Sequence, residues 1–112
     1  MAKQKIEAPE HLSETTRAWW VDVVTSWELE EHHLRLLTLA GEAWDRNVEA
    51  RERLALDGSY ITDRFNQLRA HPAIAIERDS RIAFARLVRE LQLDADVTPD
   101  SRPPMLTAYK GR

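Results

Sequence analysis

A chain of 112 residues with 43% hydrophobic and 31% charged side chains has room for one modest globular domain, and no apolar run reaches the roughly 20 residues that a membrane span requires. The absence of cysteine excludes disulfide bridges and thiolate zinc sites and favours a reducing cytoplasm, and the polar N-terminus does not have the apolar stretch of a secretory signal. The net charge of −3 argues against a protein that coats nucleic acid non-specifically, because such binding depends on an excess of Lys and Arg.

Charge and composition change along the chain. Residues 13–58 carry ten acidic against five basic side chains, whereas residues 59–91 carry four acidic and six basic ones. Any contact with nucleic acid is therefore expected to be local. We divide the chain into an N-terminal arm (1–12), a helical core and oligomerisation domain (13–93) and a flexible C-terminal tail (94–112), which is too polar and proline-rich to pack.

The first helix is predicted to begin after Ser13, because its hydroxyl suits an N-cap and Glu14 would lie near the positive end of the helix dipole. Apolar residues then recur at helical spacing and form one face, with Trp19 on its flank: Thr16, Trp20, Val23, Val24 and Trp27. Such a face must pack against another element.

A second helix is predicted from about Glu30 to Asp57, with Gly58 as a left-handed C-cap. One stripe on it consists of Leu34, Leu37, Gly41, Trp44, Val48, Arg51 and Ala55. A parallel stripe consists of Leu36, Ala40, Ala43, Asn47, Ala50 and Leu54. Two stripes suit a helix that contacts several neighbours, in its own chain or in another copy. One continuous helix over 13–57 is the alternative; we favour a turn at Glu28–Glu31, where three carboxylates interrupt the apolar pattern.

A short β-hairpin is predicted near 59–70, because Ser59–Thr62 and Gln67–Arg69 flank a polar turn. His71-Pro72 then opens a third helix, since proline fits the first helical turn. Its packing side is predicted to carry Ile76, Ala83, Phe84, Leu87, Val88 and Leu91. Its other side carries Arg78, Arg81, Arg86 and Arg89, interspersed with Ile74 and Ile82.

The sequence has no motif of a known catalytic site. It has no glycine loop for phosphates, no nucleophile elbow and no His-Glu-x-x-His motif, so we expect no enzyme, no cofactor and no small-molecule substrate. Glu30-Glu31-His32-His33 suggests a metal site, but adjacent side chains point about 100° apart on a helix, so we predict none. A small metal-dependent nuclease that uses the histidines is a minor alternative.

The four tryptophans could stack on nucleobases, but Trp20, Trp27 and Trp44 fall in the apolar stripes of their helices. That position favours packing in the core or between subunits, and Trp19 is the one most expected at an interface. The predicted oligomer interface comprises Trp19, Trp20, Trp27, Leu34, Leu37, Trp44 and Val48.

The arginine side of the third helix is the best functional candidate. Its alternative is an ordinary solvated surface, because Glu77, Asp79 and Glu90 are interleaved with the arginines. Ile74 and Ile82 share this side, however, and a purely solvated surface would not need them. The side is therefore expected to contact a partner subunit or DNA.

In their order and spacing these segments resemble the phage terminase small subunits of the P27 type. The likeness covers roughly residues 8–99, and no single segment is diagnostic. The matching segments are Ala8–Ser13, Leu34–Leu37, Glu42–Arg46, Leu54–Gly58, Tyr60–Phe65, His71–Ala73, Arg78–Arg81 and Arg89–Leu91. Many relatives read Leu-Gly-Leu where this chain has Leu91-Gln92-Leu93, so the third helix is expected to end differently.

The resemblance implies a mainly α fold, with an antiparallel helical hairpin, a short β-hairpin and a third long helix, and with copies assembled into a ring. It implies a non-enzymatic protein of the host cell cytoplasm that binds double-stranded viral DNA and delivers it to the large terminase subunit, which holds the ATPase and nuclease. The tail from Asp94 is our expected contact with that subunit. The residues predicted to bind DNA are Arg64, Arg69, Arg78, Arg81, Arg86 and Arg89. The alternative is a structural scaffold whose arginines pair with acidic residues of a neighbouring copy.

Overall fold

The computed structural model describes residues 6–93 and is mainly helical. Its elements are α1 (Glu14–Ser26), α2 (Glu31–Asp57), β1 (Tyr60–Thr62), β2 (Leu68–Ala70) and α3 (Ala73–Leu91). The three helices and the short antiparallel β-hairpin are therefore confirmed, whereas the ring stays a prediction. The predicted C-terminal tail lies outside the described residues. Within those residues no helix is both long enough and apolar enough to cross a bilayer.

Helix α1 begins where the sequence predicts, and its start is fixed to α2. The Ser13 hydroxyl accepts a hydrogen bond from the Thr16 backbone N–H at 3.3 Å and so caps the helix. Asp45 of α2 accepts hydrogen bonds from the Ser13 backbone N–H at 2.7 Å and from the Thr16 hydroxyl at 2.6 Å. One carboxylate of α2 therefore sets the point along α2 at which α1 starts.

The close approach of α1 to α2 favours a glycine. A Cβ atom added at Gly41 would lie 3.0 Å from Cγ2 of Thr16 and 3.1 Å from Cδ1 of Leu12. Both neighbours are buried, so neither side chain has free space to enter.

A turn separates α1 from α2, which confirms two helices rather than one continuous helix. Trp27 has extended backbone angles, and so has Glu30 at the N-cap of α2. The Glu30 backbone N–H donates to Nδ1 of His33 at 3.1 Å. His33 thus helps to cap the second helix, as a side chain at the third helical position can.

Gly58 ends α2 as predicted, but not in the left-handed helical conformation. Its φ of 83° is positive, whereas its ψ of 168° is extended. Only glycine adopts these angles readily, and they lead the chain from α2 into β1. The strands pair antiparallel, and each lies within one residue of its predicted position.

Helix α3 packs antiparallel along α2. The buried Asn47 amide donates to the Glu77 backbone carbonyl at 2.8 Å, and near the other end Leu91 joins Leu37 in the core. The core cluster consists of Leu12, Trp20, Val23, Leu37 and Leu91. Small residues of α3, Ala73 and Ser80, are buried on the packing side.

The predicted packing side of α3 was wrong at one position. Ile76 is 43% exposed. Ile76 lies at the edge of this side, about 60° around the helix from buried Ala73, whereas the other predicted packing residues are buried or half-buried. After Leu91, Gln92 takes the left-handed conformation, with φ 56° and ψ 44°, which glycine usually supplies at a helix end. The helix end therefore keeps a glycine-type cap although the sequence has Gln there.

Candidate functional site

The outer side of α3 carries three arginines around an exposed isoleucine. At about 100° per residue, Arg78, Ile82 and Arg89 fall within about 40° of each other on the side away from α2, with Arg86 next to them. From Arg78 to Arg89 the helix rises by about 16 Å. We name Arg78, Ile82, Arg86 and Arg89 the α3 basic face; all four are exposed.

Arg81 does not belong to this face, although the sequence predicted it there. It lies at the flank towards α2, where its guanidinium donates to both carboxylate oxygens of Glu77 at 3.1 and 3.2 Å. The hydrogen bonds from Arg81 and Asn47 hold the pKa of Glu77 below its ordinary value, and the same ion pair raises the pKa of Arg81. A charge neutralised by a neighbour in its own chain is less available to a phosphate.

The remaining α3 arginines differ in how free their charges are. Arg78 donates to Asp79 at 3.2 Å in an exposed pair, which a phosphate could replace at little cost. Within residues 6–93, Arg86 and Arg89 have no carboxylate within ion-pair distance. These two are therefore the most available cations of the α3 basic face.

The other predicted DNA-binding arginines, Arg64 and Arg69, lie on the β-hairpin. Arg69 donates to Asp63 at 2.6 Å, and this hydrogen bond is the main reason why the pKa of Asp63 lies below its ordinary value. The Arg64 guanidinium lies 5.1 Å from the centre of the Phe65 ring, a cation–π contact. The hairpin thus uses Arg69 for its own turn, and only Arg64 is left without a carboxylate partner among the described residues.

Two of the predicted interface residues belong instead to the core of one chain. Trp20 is 4% exposed and Leu37 is fully buried, so neither can contact another copy; this part of the prediction was wrong. The Trp20 indole N–H donates to the Thr38 hydroxyl at 3.3 Å, which satisfies its one polar atom. Trp27 and Leu34 are half-buried and pack against the same core.

The predicted stripe on α2 is divided by α1. Gly41 lies beneath α1, and Leu37 lies in the core that α1 shares with α2. Because α1 starts beside Asp45, it does not cover the part of the stripe that comes later in α2. Trp44 is 42% exposed, Val48 is half-buried, and Arg51 and Ala55 are exposed. We name Trp44, Val48, Arg51 and Ala55 the open stripe.

An aromatic groove lies at the head of the open stripe. The Phe84 ring centre is 5.0 Å from that of Trp44 and 5.8 Å from that of Trp19. The groove has a volume of about 350 Å³ and is lined by Thr15, Thr16, Trp19, Trp44 and Phe84. A smaller hollow of about 220 Å³ shares Trp44 and Phe84 with it and extends to Arg51. Sequence periodicity could not reveal the groove, because it depends on where α1 begins.

The histidines have structural partners in the described part of the chain. His11 lies 2.8 Å from Glu42, and His33 helps to cap α2. Nε2 of His71 lies 2.8 Å from Asp57, and its Nδ1 accepts from the Ala73 N–H at 3.0 Å, so His71 joins the end of α2 to the start of α3. Among residues 6–93, no three His, Asp or Glu side chains come together as metal ligands would.

Comparisons of the chain with models of known families, with curated proteins and with solved structures found no match. The resemblance to phage terminase small subunits therefore stays a prediction from the sequence.

Proposed function

We propose that the protein is a phage terminase small subunit. It acts without catalysis: copies assemble, bind double-stranded viral DNA and deliver it to the large terminase subunit in the host cytoplasm for packaging. The observation that supports this best is the α3 basic face, where exposed Arg86 and Arg89 have no carboxylate partner among the described residues of an otherwise acidic chain.

The chemistry of this face suits a DNA backbone. Arginine guanidinium groups donate in a planar fork that matches phosphate oxygens. The exposed Ile82 between them can contact sugar or base edges, whereas a solvated surface would not require it. One copy offers only about three cations, so its affinity is expected to be weak. An assembly repeats the face and gains affinity through effective concentration.

A salt titration of DNA binding tests the proposal. Affinity for a labelled duplex is measured by fluorescence anisotropy for the wild type and for Arg86→Ala/Arg89→Ala. Affinity falls with salt, and each lost phosphate contact makes the slope of log affinity against log salt shallower by about 0.9. The slope of the double variant should therefore be shallower by roughly 2. The matched control is Arg35→Ala, because Arg35 is also exposed but lies near the start of α2 and pairs with Glu31.

The proposal predicts that the control keeps the wild-type slope. Affinity that does not vary with salt, or that is the same in the double variant and the wild type, would contradict it.

A structural scaffold is the second candidate. It is favoured by the exposed Glu49 and Glu52 of α2, which have no basic partner within residues 6–93 and could receive arginines of another copy. In that case the arginine variants should lose self-assembly, measured by light scattering, while DNA affinity is negligible from the start. Loss of DNA affinity with unchanged mass favours the packaging adaptor.

A further inference from the structure

The β-hairpin carries an apolar face that no described part of its own chain covers. The register pairs Tyr60 with Ala70 and Thr62 with Leu68, and residues paired across an antiparallel ladder share a face. Tyr60 is 63% exposed and Leu68 is 72% exposed, and Phe65 in the turn is 68% exposed. We name Tyr60, Thr62, Leu68, Ala70 and the turn residue Phe65 the hairpin face. An isolated two-stranded hairpin is marginally stable in water, so this face is expected to pack against something.

The open stripe is one apolar surface of α2 that no described part of the chain covers, and it continues into the aromatic groove through Trp44. The hairpin of the same chain is held away from the groove. Its base is fixed by the contact of His71 with Asp57 and by a hydrogen bond from the His71 N–H to the Ser59 carbonyl at 2.8 Å. Phe65 of the turn is 68% exposed, and the ring that packs on Trp44 is that of Phe84, so the hairpin of the same chain does not cover the groove.

The charges at one edge of the open stripe complement those of the hairpin. The stripe's own cation, Arg51, lies at the other edge, where it borders Glu77. Arg64, next to Phe65 in the turn, has no carboxylate partner within residues 6–93. Glu52 flanks the open stripe, and Glu49 lies one turn before it; both are exposed and have no basic partner in the same part of the chain. A hairpin that approaches the open stripe would therefore bring an unpaired cation to unpaired anions, which favours this contact over one between like surfaces.

We propose that the hairpin face of one copy docks onto the open stripe and aromatic groove of a second copy, with Phe65 beside Trp44 and Arg64 beside Glu52. The inference rests on the proposed function for self-assembly and names the contact through which it occurs. Because the two surfaces are different, each copy both donates a hairpin and accepts one. Such a contact is heterologous and closes into a ring when its rotation permits.

Complementation between two full-length variants tests this contact. The donor variant, Phe65→Ser/Leu68→Asn, changes only exposed side chains, and the acceptor variant, Ala55→Arg, blocks an exposed position of the open stripe. Their masses are measured by light scattering, and their helix content by circular dichroism. Each variant alone is expected to stay folded and to weaken assembly at least roughly tenfold, since the donor variant removes two large apolar groups and the acceptor variant places a charged side chain in the contact.

An equimolar mixture of the two variants is the decisive measurement. The donor variant still has an intact acceptor surface, and the acceptor variant still has an intact hairpin, so the mixture should form dimers that grow no further. Leu39→Ser is the matched control, because Leu39 is exposed but lies on the opposite side of α2; it should keep the wild-type mass. A wild type that is strictly monomeric, variants with the wild-type mass, or a mixture without dimers would overturn the proposal.

The charges are tested separately by Arg64→Glu, which should weaken assembly, and by mixing it with Glu49→Arg/Glu52→Arg, which should restore it. No restoration would contradict the pairing. These variants leave the α3 basic face intact, so a failure of this contact is distinguishable from a failure of DNA binding, which the Arg86 and Arg89 variants report.

Discussion

Replacing Gly41 with alanine tests how closely α1 packs on α2. The new Cβ would lie 3.0 Å from Cγ2 of Thr16 and 3.1 Å from Cδ1 of Leu12, closer than ordinary carbon contacts. Thr16 cannot move away, because it is buried and its hydroxyl is held 2.6 Å from Asp45. Overpacking of this kind costs about 2 kcal/mol, whereas alanine in place of glycine gains about 1 kcal/mol of helix propensity. The free energy of unfolding should therefore fall by about 1 kcal/mol.

Urea unfolding followed by tryptophan fluorescence measures this change, at one protein concentration because assembly adds to apparent stability. The variant Thr16→Ser removes Cγ2 but keeps the hydroxyl that binds Asp45. In that background the cost of Gly41→Ala should shrink towards zero, a coupling of about 1 kcal/mol between the two positions. If Gly41→Ala instead raises stability by about 1 kcal/mol in both backgrounds, helix propensity alone operates and the inferred close contact is refuted.

Two further predictions concern Asp45 and the end of α3. Burial by itself raises the pKa of Asp45, but hydrogen bonds from Thr16 and Ser13 outweigh it and hold the pKa below the ordinary 3.8. The stability that Asp45 provides is therefore present above pH 3.8 and is lost as the pH falls through the lower pKa of the folded state. The variant Asp45→Asn should have a lower free energy of urea unfolding than the wild type, and this difference should shrink in acid. A difference that stays constant with pH would contradict this. Gln92→Gly removes a left-handed non-glycine residue, so it should stabilise by about 0.5–1 kcal/mol and raise Tm by roughly 4 °C; a lower Tm would argue against the cap.

The local elements of the fold could be predicted from the sequence because their signals lie within a few residues of each other. The hydroxyl of Ser13 three residues before Thr16, and the glycine after Asp57, locate helix ends without tertiary information. The packing side of α3 was also visible in the sequence, except at its edge. Ile76 shares the predicted side but is 43% exposed, because it lies about 60° around the helix from buried Ala73.

The candidate site was predicted only in outline. Four arginines on one helix are visible in the sequence, and the spacing of four residues between Glu77 and Arg81 is the signal that could have set Arg81 apart. A full apolar stripe on α2 is equally visible, yet half of it is an ordinary core surface. Periodicity reports which residues share a face, and it does not report which part of the face is covered.

The sequence by itself determined the helical segments, the start of α1, the end of α2, the hairpin and the presence of an apolar stripe and an arginine side, because spacing and capping act over a few residues. It left open whether 13–57 is one helix or two. Tertiary structure alone decided that Trp20 is buried and Trp44 is half exposed, and that the open stripe meets an aromatic groove. The physical reason is that these outcomes depend on where α1 begins along α2. That point is set by hydrogen bonds from Ser13 and Thr16 to Asp45, residues about thirty positions apart in the chain.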